Sequence, residues 1–310
     1  MEQQLSLDSA EHSELPHPTK HTQSIWVLPA DRWQQYTLID AGDGEKLEQW
    51  GEIILRRPEA TAIWPRNPTE CRWNQPHARF LHSSTSARSW LLQKACPSQW
   101  QISYGRYRFH IRLGPFKHTG LFPEQASNWD WIYETISSAK RSPEVLHLFA
   151  YTGAATVAAA AAGAAVCHVD ASKSIVRWAR ENLELNGLAH SPVRWIVDDA
   201  QQFLQREHRR RKKYDAIILD PPSYGCAGRG RRWKFELHIL TLLQSCARVL
   251  SDNPLFVLIS SHTTGYSPLL WPTLLEASGF KGKIQLCQLA LRIISNQQLL
   301  PCGYSVRWQP

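Results

Sequence analysis

Residues 214–225, YDAIILDPPSYG, decide how this chain is read. The apolar stretch Ala216–Leu219 has the length and character of a buried strand, and it stops at Asp220-Pro221-Pro222. Proline lacks an amide proton and has a fixed φ, so two in succession end strand pairing at that point. The carbonyls around Asp220 and Pro221 are then free of the ladder. With the Asp220 carboxylate they can accept hydrogen bonds from the amino and imino edges of a nucleobase, and Tyr224 offers a ring for stacking. That combination suggests chemistry on a flipped or single-stranded base, with Asp220, Pro221, Pro222 and Tyr224 as candidate catalytic residues.

Upstream, short apolar runs alternate with helical segments. Residues 145–150 (VLHLFA) lead into Tyr151-Thr152-Gly153 and the alanine-rich stretch 154–162. Residues 166–169 (VCHV) end at Asp170, and Ser172 is the N-cap expected for a helix that turns Ile175, Val176, Ala179 and Leu183 inward and stops at Asn186-Gly187. Residues 193–197 (VRWIV) end at Asp198-Asp199, and residues 255–260 (LFVLIS) form a fifth strand. Strands alternating with helices of this length indicate a parallel α/β sheet, whose ligands sit at the carboxyl ends of the strands. Gly153, Asp170, Asp199 and Asp220 all fall at those ends. Any one of these aspartates is as readily a helix cap or a turn residue; four such positions in register, Gly153 with three aspartates, are harder to explain that way.

The ordered set LFAYTG (148–153), VDAS (169–172), DDA (198–200) and ILDPPSYG (218–225) resembles the motifs of class I S-adenosylmethionine-dependent methyltransferases, in particular the bacterial large-subunit (23S) rRNA methyltransferases. KHTGLFPEQ (117–125) and LPCGYSVRW (300–308) are similar to further segments of that family. The resemblance runs from about Trp26 to the C-terminus. It implies a Rossmann-like, mostly parallel sheet of seven strands and S-adenosyl-L-methionine as cofactor. Its cofactor-binding positions are Gln125, Phe149, Tyr151, Thr152, Gly153, Asp170, Ala171, Ser172, Asp198, Asp199, Ala200 and Asp220. Asp170 takes the family's ribose-binding role, Asp199 would accept from the adenine amino group, and Ile175 or Phe203 could border the ring. Gly153 lets the backbone approach a ligand beside a helix N-terminus.

Three departures from the family pattern bear on mechanism. Family members that make 5-methylcytosine carry a cysteine after the fifth strand, whereas this chain reads Ile259-Ser260-Ser261-His262. A serine without an activating base is a poor nucleophile. Cys226 is near but not at the family position. Amino-methyltransferases have an aromatic residue directly after Asp-Pro-Pro; here Ser223 stands there and Tyr224 follows. Ala126 replaces the arginine of many relatives, and His262 is a candidate base or a structural histidine. Transfer to nitrogen is therefore expected over the cysteine-dependent carbon-5 route.

The 310 residues carry 35 Lys and Arg against 27 Asp and Glu, a formal net charge of +8, which favours a polyanionic partner such as rRNA. Residues 228–234 (GRGRRWK) leave the carboxyl edge of the sheet, so Arg229, Arg231, Arg232, Trp233 and Lys234 are the candidate RNA contacts. Residues 209–213 (RRRKK) are denser in charge but fall at the amino edge, where they read as a solvated helix end. Residues 1–24 read as a disordered polar tail, with His12, His17 and His21 solvated. Residues 25–124 read as a small β-rich domain, an RNA-docking module or a cap on the sheet, with a hairpin in 100–113 (WQISYGRYRFHIRL); residues 125–310 read as the catalytic domain. Seven cysteines without a C-x-x-C pair support neither a disulfide framework nor a zinc site, so no metal is expected, and a reducing cytoplasm is the default. No apolar run reaches membrane-spanning length. The chain lacks G-x-G-x-x-G, which leaves a nucleotide-dependent oxidoreductase with no use for Asp220-Pro221-Pro222. The competing readings are methylation of a protein side-chain amide and a non-catalytic RNA-binding protein on a methyltransferase scaffold. No oligomeric state follows from these residues.

Overall fold

The computed structural model describes residues 24–81, 89–227, 231–262 and 265–310. The expected tail, apart from residue 24, lies outside the described residues, as does Arg229. One large sheet organises the chain. Its strands in chain order are β1 (Ile25–Pro29), β2 (Glu144–Leu148), β3 (Ala165–Asp170), β4 (Val193–Val197), β5 (Ala216–Leu219), β6 (Phe256–Ser261), β7 (Lys283–Arg292) and β8 (Leu299–Gln309). In space the order is β1-β7-β8-β6-β5-β2-β3-β4. All pairings are parallel except the two made by β8, which runs against β6 and β7. The expected α/β sheet is therefore present with one strand more than seven. β1, from the segment read as N-terminal domain, pairs with β7 at the sheet edge.

Helices cover both faces. α1 (Ala126–Ser138), α2 (Ala154–Ala161) and α3 (Lys173–Leu185) bury Ile132, Val157 and Leu183 on one side. α4 (Ala200–Arg209), α5 (Phe235–Val249) and α6 (Leu270–Ala277) bury Phe203, Leu242 and Leu275 on the other. Strands β2, β5 and β6 lie between the two cores and are buried almost throughout, which is why they read as unbroken apolar runs. Among the described residues no helix is long and apolar enough to cross a membrane.

The N-terminal region holds a five-stranded sheet and the expected hairpin, Gln99–Tyr104 with Tyr107–Arg112. The hairpin docks on α3: the His110 and Arg108 amides donate to Asn182 Oδ1 and Asn186 Oδ1, each at 2.9 Å, and Arg112 pairs with Glu181. The five-stranded sheet meets the segment after β7 where Leu38 bridges Ile293, the Ile294 amide donates to Leu38 O at 3.0 Å and Ser295 Oγ donates to Asp40 Oδ1 at 2.7 Å. Within that sheet lies a buried charge cluster. Arg57 grips the fully buried Glu48 at 2.5 and 2.7 Å, Tyr36 donates to the same carboxylate at 2.8 Å, and Lys46 bridges Glu48 and Glu59.

The two basic runs occupy different places. Lys212 pairs with Glu144 at the start of β2, and Lys213 donates to the carbonyls of Arg248 and Leu250. Residues 209–213 therefore lie at the amino edge of the sheet, as their spacing predicts. The second run is partly strand: Tyr224–Ala227 pairs antiparallel with Arg231–Lys234, bringing Tyr224 opposite Lys234. Arg231 and Arg232 are described in their backbone alone.

Candidate active site

The loop leaving β2 is held in an uncommon conformation. Phe149 and Tyr151 both have left-handed backbones, with φ of 52° and 49°. Each costs on the order of 1 kcal/mol and persists because neighbouring contacts over-determine it. The Ala150 amide donates to Val169 O at 3.1 Å and the Tyr151 amide to Asp170 Oδ2 at 3.0 Å. Thr152 Oγ1 donates to Gly120 O, and Asn182 Nδ2 donates to Thr152 O at 2.9 Å. Gly153 follows with φ of 80°, and a Cβ there would lie 2.9 Å from Ala179 Cβ. Its lack of a side chain serves the approach of α3 as well as the turn, a reason the sequence reading did not include.

A cavity of about 560 Å³ opens over the carboxyl ends of β2 to β5. Phe149, Tyr151, Asp170, Ala171, Ser172, Asp198, Asp199, Ala200 and Asp220, all expected around the cofactor, line it. Gln125, Thr152 and Gly153 instead line a small adjoining recess of about 70 Å³, which Phe149, Tyr151 and Asp220 also border. Asp170 sits at the end of β3 and accepts the Tyr151 and Ser172 amides at 3.0 and 2.9 Å. Each oxygen keeps lone-pair capacity for a ligand hydroxyl. Burial raises its carboxyl above the usual range, and the two backbone bonds act the other way.

Asp199 caps α4, accepting the Gln202 amide at 2.9 Å, so the helix-cap reading holds for it while it also lines the cavity. Asp198 accepts the Asp199 amide and pairs with Arg206. Ser172 precedes α3 but makes no side-chain cap bond. Phe203, expected beside the adenine, lies in the core at 1% exposure, because its helical position points it under the sheet. The residues of this cavity fit S-adenosylmethionine: carboxylates at the ends of β3 and β4 face one open cleft, with a small, largely apolar recess beside Asp220.

Asp220-Pro221-Pro222 closes the near wall. Trp233 Nε1 donates to the Pro222 carbonyl at 2.5 Å, and its ring packs on Phe149 and His238, each with centroids 5.4 Å away. Trp233 is buried and lines the cavity. This departs from the expected base-stacking ring on the surface: the indole anchors the Pro-Pro turn from inside. Tyr224 is 56% exposed, Lys234 is exposed, and neither borders the cavities described here.

A second cavity of about 450 Å³ lies between the N-terminal sheet and the ends of β6 and β8. His118, Phe122 and His262 border both large cavities. Phe122 stacks on His262 with centroids 5.5 Å apart. His262 Nδ1 donates to Cys302 O at 2.8 Å, which turns Nε2 towards Asp220 Oδ2 at 3.7 Å. Gly303 permits this packing, since a Cβ there would lie 2.7 Å from Ser261 O and 2.9 Å from His262 Nδ1. Burial works against charge on His262, but Asp220 and then Glu124 outweigh it and raise the group to about 9. Gln125 Nε2 also faces His262 Nε2, at 3.3 Å, a contact that suits a neutral ring. Two carboxylates acting together exceed one long amide contact, so the upward direction holds. His118 moves the opposite way, to about 3, by burial and then the cations Arg57, Lys117 and Lys46. His262 was singled out in the sequence only as an isolated candidate, and Glu124, His118 and Phe122 only as part of a resembling segment.

Comparison with known proteins agrees with this geometry. A family model for S-adenosylmethionine-dependent methyltransferases matches residues 67–246, more than half of the chain. A solved S-adenosylmethionine-dependent methyltransferase from Agrobacterium tumefaciens is 34% identical, covers 94% of each chain and superposes with a TM-score of 0.86. "Ribosomal RNA large subunit methyltransferase K/L" of Hahella chejuensis is 35% identical over 155 residues, covering 48% of this chain and 20% of that protein. The Shewanella woodyi protein of the same name is 31% identical over 227 residues, covering 71% of this chain and 29% of that one. The chain thus spans between a fifth and a third of the length of these two relatives. With the motifs at the strand ends and the cavity they line, these matches establish that the chain belongs to the S-adenosylmethionine-dependent methyltransferase family.

Proposed function

We propose that this chain methylates a base of RNA, large-subunit rRNA in the cytoplasm, and that the methyl group goes to nitrogen. One observation carries the reading: Asp220 stands between the cofactor cavity and His262, beyond which a second cavity large enough for a nucleobase begins. The rRNA methyltransferase names of the relatives support the choice of RNA. Ser261, buried at the end of β6, supports nitrogen, because no thiol stands there to attack a pyrimidine ring. We further propose residues 125–310 as the catalytic unit, with β1 contributed to its sheet from outside that range.

When bound, S-adenosylmethionine supplies an electrophilic methyl sulfonium, so the protein's task is positioning. Asp170 would hold the ribose end, Asp198 and Asp199 would border the adenine, and the Phe149–Gly153 loop would contact the remainder. Asp220 and the Asp220–Pro221 carbonyls would accept hydrogen bonds from the acceptor base, and Trp233 would keep the turn in register through Pro222. Among the described residues no group of three or more His, Cys, Asp or Glu could hold a metal ion.

Nucleoside mass spectrometry of rRNA from cells with and without the protein tests the reading. One methylated nucleoside should vanish with the protein and return with wild type but not with Asp220→Ala. In vitro, Asp220→Ala should lower kcat at least a hundredfold while cofactor affinity stays within a few-fold, as expected for a contact made at the reacting centre. A stable adduct with 5-fluorocytosine RNA would refute transfer to nitrogen.

A further inference from the structure

We propose that the 450 Å³ cavity seats the acceptor base and that Glu124 selects bases presenting amino-group donors; the proposal rests on the reading of the chain as an RNA-base methyltransferase. Glu124 lines this cavity and is 4% exposed, yet its Oε2 has no hydrogen-bond partner among the described residues. A buried carboxyl oxygen without a partner is costly, and such groups are kept where a ligand completes them. Its other oxygen lies 4.0 Å from His262 Nδ1, which is already engaged with Cys302 O. Burial raises the Glu124 carboxyl, while His262 and Lys46 oppose the rise. A donor on a bound ring would favour the ionised form in the same way.

The rest of the lining narrows the ligand. Lys46 is shared between Glu48 and Glu59, Arg57 is held by Glu48, and Lys117 Nζ donates to Pro58 O at 3.3 Å. The cations here are matched by carboxylates or carbonyls, so this is a poor cradle for phosphate. The stacked rings of Phe122 and His262 form a planar wall shared with the cofactor cavity. A flat heterocycle on that wall, with an N–H edge towards Glu124, uses the one carboxyl oxygen left unpaired among the described residues of this cavity. A ring edge bearing only carbonyls would face the carboxylate with like charge.

The test measures inhibition of methyl transfer to unmodified large-subunit rRNA by short RNAs. Each carries one unpaired adenosine, cytidine or guanosine, or its counterpart without the amino group. Wild type should be inhibited roughly ten- to hundredfold more weakly by the amino-free RNAs, the usual cost of leaving a buried polar group unpaired. Glu124→Ala should lose that discrimination, keep its cofactor affinity by calorimetry, and melt close to wild type, because Oε2 has no partner to lose and Oε1 has only the 4.0 Å contact with His262. Equal inhibition of wild type by both sets, or unchanged discrimination in Glu124→Ala, overturns the proposal. A large fall in Tm with loss of all binding assigns Glu124 a structural role and also overturns it. Absence of rRNA methylation by wild type would instead remove the underlying reading, and the proposal with it.

Discussion

Asp170 and His262 show how a single side chain carries two duties in this site. Asp170 holds the left-handed Tyr151 backbone and Ser172 through their amides while facing the cofactor cavity. Asp170→Ala should weaken S-adenosylmethionine about ten- to a hundredfold by calorimetry, since charge-assisted bonds contribute roughly 1.5–3 kcal/mol each. Unchanged affinity in a folded variant would remove the ribose assignment. His262 makes a pH prediction. Its folded value of about 9 lies above the ordinary histidine value of 6.5, so the imidazolium stabilises the folded state. That contribution is fully present below about 6.5 and is lost as pH rises through 9. Melting curves from pH 6 to 10 should show the decline in wild type and a flatter profile in His262→Gln. Equal profiles would show that the pairing with Asp220 contributes nothing.

At the scale of elements, the Tyr224–Ala227 and Arg231–Lys234 strands act as a brace for the Asp220-Pro221-Pro222 turn. Trp233→Phe keeps the ring packing and removes the Nε1–H donor to Pro222. The expected result is a loss of up to about tenfold in kcat with little change in RNA KM, matching one neutral hydrogen bond of about 0.5–1.5 kcal/mol. A rise in KM alone would return Trp233 to the RNA-contacting role expected from its neighbours in sequence. Trp233 sits in a run of arginines and glycines and so reads as surface; its burial depends on β5, α5 and the loop after β2 meeting in space. Phe203 errs in the opposite direction, since nearness to Asp199 in sequence suggested the adenine, while helical phase turns the ring into the core.

For the molecule as a whole, the two basic runs occupy different places, and only the run after Tyr224 is proposed to contact RNA. Neutralising Arg229, Arg231 and Arg232 should weaken RNA binding and reduce its salt dependence, because each phosphate contact releases counterions. Neutralising Arg209, Arg210 and Arg211 should do less, since that run follows α4 at the amino edge, where Lys212 and Glu144 pair. Filter binding at several salt concentrations distinguishes them, and a larger loss in the second variant would refute the assignment by edge.

Strand and helix periodicity, with the acidic residues that end three strands, determined the α/β class and which side chains gather around the large cavity from sequence alone, because both follow from local pattern and from the rule that parallel strands present their carboxyl ends together. Resemblance in ordered motifs supplied the cofactor. What only the tertiary structure decided are relations between distant segments. β1 joins β7 across more than two hundred and fifty residues of chain, Gly303 admits His262, and Glu124 is left with an unpaired oxygen in a cavity built from both halves. No periodicity records such meetings, since the free energy that fixes them comes from burial and hydrogen bonding between side chains that sequence does not bring near one another.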